Sequence, residues 1–156
     1  MILVLCGTQK QDFSRMLAEV EKLAPNNRIV VQLGHTDFYS DKMELFDFMA
    51  HDKLKLLYDQ AKVIMTHAGA GSMFTAIEKR KKTLVFPRLQ KYNEHVDDHQ
   101  LQLAEKLAEL GYLLVFNDGD DIFELFELLF QTEFKDYSLK GDLKYRINCT
   151  LKHKLL

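Results

Sequence analysis

The sequence predicts an α/β fold, a Rossmann-like doubly wound parallel sheet, and three observations lead there. Short apolar runs rich in β-branched residues alternate with segments whose apolar residues recur at helical spacing. Several runs end in glycine or polar turns, the punctuation expected between strand and helix. The runs are apolar nearly throughout instead of alternating, the pattern of strands covered on both faces by helices in right-handed crossovers.

Ile2–Cys6 reads as the first strand, closed by Gly7-Thr8-Gln9. Phe13, Met16, Leu17, Val20 and Leu23 then mark a helix that Pro25-Asn26-Asn27 stops. Arg28–Leu33 is a second strand ended by Gly34, and Leu45–Met49 fits either a short strand or a loop end. His51–Ala61 sets Leu54, Leu57, Tyr58 and Ala61 on one helical face. Lys62–Thr66 is a strand broken by Gly69 and Gly71, and Ser72–Arg80 a helix with Met73, Ala76 and Ile77 inward. Thr83–Pro87 is the next strand, Val96–Leu110 a helix with Gly111 as its C-cap, Tyr112–Phe116 a strand and Asp121–Phe130 a helix. Residues 1–131 are expected to form the domain. Residues 132–156, more polar and lysine-bearing, read as a peripheral extension, helical in part.

A chain of 156 residues, 47% hydrophobic and 28% charged, has the size and composition of one globular domain. Its 21 Lys+Arg against 23 Asp+Glu leave a net charge of −2, so no overall cationic field is available for nucleic acid or anionic lipid, and any phosphate must be held locally. Cys6 and Cys149 have neither metal spacing nor the density of a disulfide scaffold, which fits a reducing cytosol. No stretch approaches the ~18 consecutive apolar residues of a spanning helix, so a soluble, cytoplasmic chain is expected.

In open parallel sheets ligands bind beyond the carboxyl ends of the strands. Three loops there draw attention. In His67-Ala68-Gly69-Ala70-Gly71-Ser72, glycines let the backbone approach an anion, and Ser72 at the helix mouth can cap it while the helix N–H groups face a phosphate. Close packing is the competing explanation of the glycines. A third dinucleotide glycine is absent, with Phe74 in its place, and no Walker lysine follows. His67 fits two roles, donor to a phosphate or sugar oxygen and organiser of the loop. Gly7-Thr8-Gln9 is either a tight turn or a second set of donors to the same crevice. In the third loop Glu94, His95, Asp97, Asp98, His99 and Gln100 crowd a helix start; acidic groups there suit a cap, and the imidazole, carboxylates and amide suit sugar hydroxyls. His95 and His99 have metal-compatible i,i+4 spacing, but no HExxH pattern or third ligand accompanies them, and no metal is expected.

Taken in order, Gly7-Thr8-Gln9, Gln32-Leu33-Gly34, Val63 through Ser72, Phe86-Pro87-Arg88 and Glu94 through Leu101 resemble the carboxyl-terminal, donor-binding domain of family 28 glycosyltransferases, over Ile2 to about Phe116. The resemblance implies half of a GT-B architecture, a UDP-sugar donor, and inverting transfer of a hexose or hexose derivative to a lipid-diphosphate-linked acceptor, with neither metal nor cofactor. It is similar both to the catalytic subunit of the eukaryotic dolichol-linked UDP-GlcNAc transferase and to bacterial capsule and exopolysaccharide subunits. The stretch from Pro87-Arg88 to Gln100 is nearer the bacterial group. Carried over, Gly7, Thr8, Gln9, His67, Gly69, Ala70, Gly71 and Ser72 would face the donor diphosphate, and Glu94, Asp98, His99 and Gln100 the sugar. The helix glutamate that usually holds the ribose is replaced by Thr75, with Glu78 one turn later, and Lys81-Lys82 stands where Lys-Pro is usual. Apart from His67 no catalytic residue suggests itself.

The resemblance further implies a membrane-anchored partner supplying the acceptor half and bringing the chain to the inner face of the membrane. A catalytically silent nucleotide-binding or stabilising subunit is the alternative. A hydrolase built on His67 lacks a G-x-S-x-G elbow. Phe134, Tyr137, Leu139, Leu143, Tyr145, Ile147, Leu151 and Leu155 make the extension a candidate docking element, against packing on its own domain.

Overall fold

A computed structural model of the chain describes residues 1–95 and 99–137. Six parallel strands form one sheet in the order β3-β2-β1-β4-β5-β6: β1 Ile2–Leu5, β2 Ile29–Gln32, β3 Glu44–Phe46, β4 Val63–His67, β5 Lys82–Phe86 and β6 Leu114–Val115. The helices are α1 Ser14–Glu21, α2 His51–Gln60, α3 Ala70–Glu78, α4 His99–Glu109 and α5 Ile122–Gln131. This is the doubly wound fold the sequence predicts, and the ambiguous segment near Leu45 is a strand, pairing Leu45 with Val31.

The pleat sorts the side chains into two layers. Ile2, Val4, Cys6, Val63, Met65, Leu84 and Phe86 point to one face, where Met16, Leu17 and Val20 of α1 and Ile122 and Leu129 of α5 cover them. On the other face Leu3, Leu5 and Ile64 meet Tyr58, Ala61 and Ala76, while Val85 meets Met73, Ile77, Ala104 and Leu107. The chain reverses its direction of progress across the sheet between β1 and β4, and such a switch opens a crevice beyond the carboxyl ends of those two strands.

Two element boundaries differ from expectation in ways that reach the crevice. β4 runs to His67, which pairs with Phe86 and so ends the strand instead of beginning the loop. Helix α3 begins at Ala70, not Ser72, and ends at Glu78, not Arg80, which takes a left-handed φ of 53°. Its N-cap is Gly69, extended and without any side-chain cap bond, so Ser72 does not cap the helix but lies in its first turn. By contrast Asp121 caps α5, its Oδ1 accepting from the N–H of Phe123 at 2.7 Å and of Glu124 at 3.2 Å.

The start of the extension packs on its own domain. Phe134 joins the α1/α5 layer, the N–H of Lys135 donates to the Gly111 carbonyl at 2.9 Å, and Tyr137 lies against Phe74 and Tyr112. Residues 132–137 are not helical. The remainder of the expected docking element, 138–156, falls outside the described residues, as do 96–98 at the expected start of α4.

Candidate functional site

His67 organises the crevice. Its Nδ1 lies 3.3 Å from the Leu5 carbonyl oxygen and 3.3 Å from Thr66 Oγ1. A carbonyl only accepts, so Nδ1 carries the ring proton toward Leu5, and Nε2 is left with its lone pair. Nε2 fills the space between two glycines: a Cβ on Gly7 would stand 2.6 Å from it and one on Gly69 2.1 Å. Gly7 also needs its φ of +83°, which other residues adopt at a cost. The glycines of the first two loops are thus required, at Gly7 and Gly69, by an imidazole packed between them. Burial pushes the His67 pKa down to about 4, the Leu5 bond opposing the shift and the Arg88 charge reinforcing it. At neutral pH the ring is uncharged, and with this tautomer Nε2 accepts. Donation from His67 to a phosphate, one of the two roles its sequence position allows, is not what this arrangement offers.

The glycine loop opens α3 without a side-chain cap. The first helical bond runs from the Met73 N–H to the Gly69 carbonyl at 3.1 Å, leaving the N–H groups of Ala70, Gly71 and Ser72 without intrahelical acceptors. Gly71 itself is exposed, and a Cβ there would meet nothing within 4 Å. Thr8 and Gln9 are exposed beside the buried Gly7. Ser72 is partly buried and its carbonyl faces Tyr58 Oη at 3.5 Å. The Thr75 hydroxyl donates back to the Gly71 carbonyl at 2.8 Å, one turn along the same helix.

The third loop is more constrained than its residue types suggest. Glu94, expected to meet a sugar, is 3% exposed and its carboxylate is already engaged. Arg15 Nε donates to Oε1 and Arg15 Nη2 to Oε2, both at 2.8 Å, and the Leu89 N–H donates to Oε2 at 3.0 Å. Arg15 also holds the Pro87 carbonyl at 2.8 Å and stacks on Tyr92, so Glu94 fastens α1 to this loop. Asp98 lies outside the described residues, and His99 opens α4. Gln100 follows it, partly buried, with Oε1 shielded from solvent and without a partner among the described residues. Among the described residues no group of three His, Cys, Asp or Glu side chains could hold a metal.

Sequence reasoning misses Arg15 and Arg88. Arg88 is 1% exposed, its Nη2 donating to the Cys6 carbonyl at 2.8 Å and its Nη1 to those of Gln11 at 2.9 Å and Glu94 at 3.2 Å. Arg88 figures in the sequence only as part of the Phe86-Pro87-Arg88 stretch, and its burial over the ring of Phe13, 4.3 Å from the guanidinium, is visible only in the structure. Two open pockets lie away from the glycine loop: one of about 600 Å³ at the amino ends of the strands, lined by Arg80, Lys82 and Phe134, and one of about 370 Å³ beside Arg15 and Asp118.

Sheet order, switch-point crevice and glycine-led helix together define a Rossmann-like α/β domain. Comparison with known proteins makes this specific: the chain belongs to the glycosyltransferase family 28 C-terminal domain family, matching it over residues 1–138. It is 32% identical over 103 residues to the UDP-N-acetylglucosamine transferase subunit ALG13 of Homo sapiens, an alignment covering 62% of this chain and 8% of that protein. The chain therefore spans a small share of that relative's length. Among solved structures it superposes on the glycotransferase of kitacinnamycin with a TM-score of 0.64 and 16% identity, over 83% of this chain and 34% of the other. On the solution structure of ALG13 the TM-score is 0.60 at 18% identity, over 93% of this chain and 92% of that one. These likenesses establish the fold, that of one Rossmann-like unit of GT-B glycosyltransferases.

Proposed function

We propose that this chain is the donor-binding half of a two-component glycosyltransferase, which moves a hexose or hexose derivative from a UDP-sugar to a lipid-diphosphate-linked acceptor in polysaccharide or oligosaccharide biosynthesis. The observation that carries this is the glycine loop at the sheet's switch point, where the N–H groups of Ala70, Gly71 and Ser72 have no intrahelical acceptors, in a chain of the family 28 carboxyl-terminal type. Oriented amides and a helix dipole stabilise the charge that develops on a departing nucleoside diphosphate without a metal ion. Gly7, Thr8 and Gln9 line the neighbouring wall. Gln100, whose shielded Oε1 has no partner among the described residues, supplies an acceptor for a sugar hydroxyl, joined by Asp98 and His99 as the family resemblance implies. Thr75, at the position of the family's usual ribose-holding glutamate, is the candidate ribose contact.

His67, neutral and wedged between glycines, shapes this surface in the proposal instead of reacting. The base that deprotonates the acceptor would then come from the other half. A partner that is membrane-anchored would complete the cleft and hold this cytoplasmic chain at the inner face of the membrane. Of the extension beyond residues 1–131, residues 132–137 pack on the domain, which leaves 138–156 as the candidate docking segment. The Pro87-Arg88 to Gln100 stretch favours a capsule or exopolysaccharide system of the bacterial kind. Support for a two-component enzyme comes from the 32% identity to a protein that is itself a subunit, the UDP-N-acetylglucosamine transferase subunit ALG13 of Homo sapiens.

The experiment is a transfer assay with a panel of UDP-sugars and a lipid-diphosphate acceptor, run on the purified chain and on the chain co-expressed with a membrane partner. Turnover is expected only from the pair. Robust transfer by the chain alone would refute the half-enzyme, and no turnover by an intact pair that still binds UDP would favour a silent nucleotide-binding subunit.

A further inference from the structure

Arg88 is the largest fully buried side chain of the domain, and its contacts are arranged in an unusual way. The carbonyls of Cys6 and Gln11, which it holds through different nitrogens, flank the Gly7-Thr8-Gln9 loop on either side. Its Nη1 also reaches the carbonyl of Glu94, in the loop that leads toward α4. Phe13, at the N-cap of α1, floors the guanidinium. Among the described residues no carboxylate lies within ion-pair distance of it; Glu94 gives its carboxylate to Arg15 and its backbone carbonyl to Arg88. Only a planar fork can serve these divergent acceptors together, since a lysine ammonium at the same depth is a single point.

We infer that Arg88 is a positioning residue that joins the diphosphate-facing loop Gly7–Gln9 to the approach to the sugar-facing start of α4, so that the two respond to the donor as one unit. The inference rests on the donor-binding reading above. His67 fastens the first loop to the second, through Gly7 and Gly69, and Arg88 fastens the first to the third. An ordered Gly7–Gln9 loop fixes the Gln11 and Cys6 carbonyls, these fix the guanidinium, and the guanidinium fixes Glu94.

Hydrogen exchange with and without UDP, which carries no sugar, tests this on the full chain alongside calorimetry. In the wild-type protein UDP is expected to protect amides at 99–102 as well as those at 7–11 and 69–72. Arg88→Lys is expected to stay folded, to bind UDP at least fivefold more weakly, and to keep the protection at 69–72 while losing that at 99–102. A merely structural role would lower the melting temperature and leave the segments responding together, and that result overturns the inference. Should the variant not fold, the wild-type pattern decides: protection confined to 7–11 and 69–72 refutes the coupling. If wild-type protein binds no UDP, the donor-binding reading fails and this inference with it, an outcome distinct from binding without coupling.

Discussion

The Nε2 atom of His67 stands where a Cβ on Gly69 would lie 2.1 Å away, a separation that side chains do not tolerate. Gly69 has φ −72°, ordinary for any residue, so the glycine is needed for space and not for backbone freedom. Gly69→Ala should therefore cost about 2–3 kcal/mol by overpacking. In a His67→Ala background the same change should cost less than about 1 kcal/mol. Urea denaturation of the four proteins checks this; an undiminished penalty without the imidazole would show that the contact is not its cause.

Because burial holds the His67 pKa at about 4, below its ordinary 6.5, the folded protein takes up a proton on this ring less readily than the unfolded chain. Stability from this group is therefore complete above pH 6.5 and is lost as pH falls through 6.5 toward 4, by about 2 kcal/mol at pH 5. His67→Gln cannot titrate, so the stability gap between wild type and variant should narrow by that amount between pH 7.5 and pH 5. A constant gap would contradict the neutral, buried ring.

Arg15→Ala removes the partner of a carboxylate that is 4% exposed. Leaving Glu94 buried without its cation should cost about 3 kcal/mol, and adding Glu94→Gln should recover part of it. Chemical denaturation of the single and double variants measures this. Equal stability of Arg15→Ala and wild type would mean that Glu94 is available to a ligand after all.

Gln100→Ala should slow transfer by the assembled enzyme while UDP alone binds nearly as before, since one hydrogen bond to a neutral hydroxyl is worth about 0.5–1.5 kcal/mol. Calorimetry with UDP and with the UDP-sugar separates the two. An equal loss of affinity for both would place Gln100 against the nucleotide.

The element order is legible because it is written locally, in apolar runs and helical spacing. Strands β1, β2, β4 and β5 and helices α1, α2 and α5 fall within about two residues of their expected limits. What is not legible depends on partners distant in sequence. Ser72 is a good cap by residue type and so reads as the start of α3, whereas Gly69, with no side chain to signal it, holds that position because His67 needs the room. Glu94 reads as a sugar contact because its partner, Arg15, stands 79 residues earlier. The burial of Arg88 leaves no sign in the sequence, because its acceptors are backbone carbonyls, which leave no trace in residue type.

The account centres on a nucleoside diphosphate resting on the amides that open α3, and isothermal titration of UDP into the wild-type chain and into Gly71→Val tests it most directly. A side chain at Gly71 meets open space in the protein itself, so the variant should fold normally, yet its isopropyl group would occupy the path of the phosphate. UDP should bind the wild type and bind Gly71→Val at least tenfold more weakly, about 1.4 kcal/mol. Absence of UDP binding by the wild-type chain, or equal affinity in a folded variant, would contradict the account.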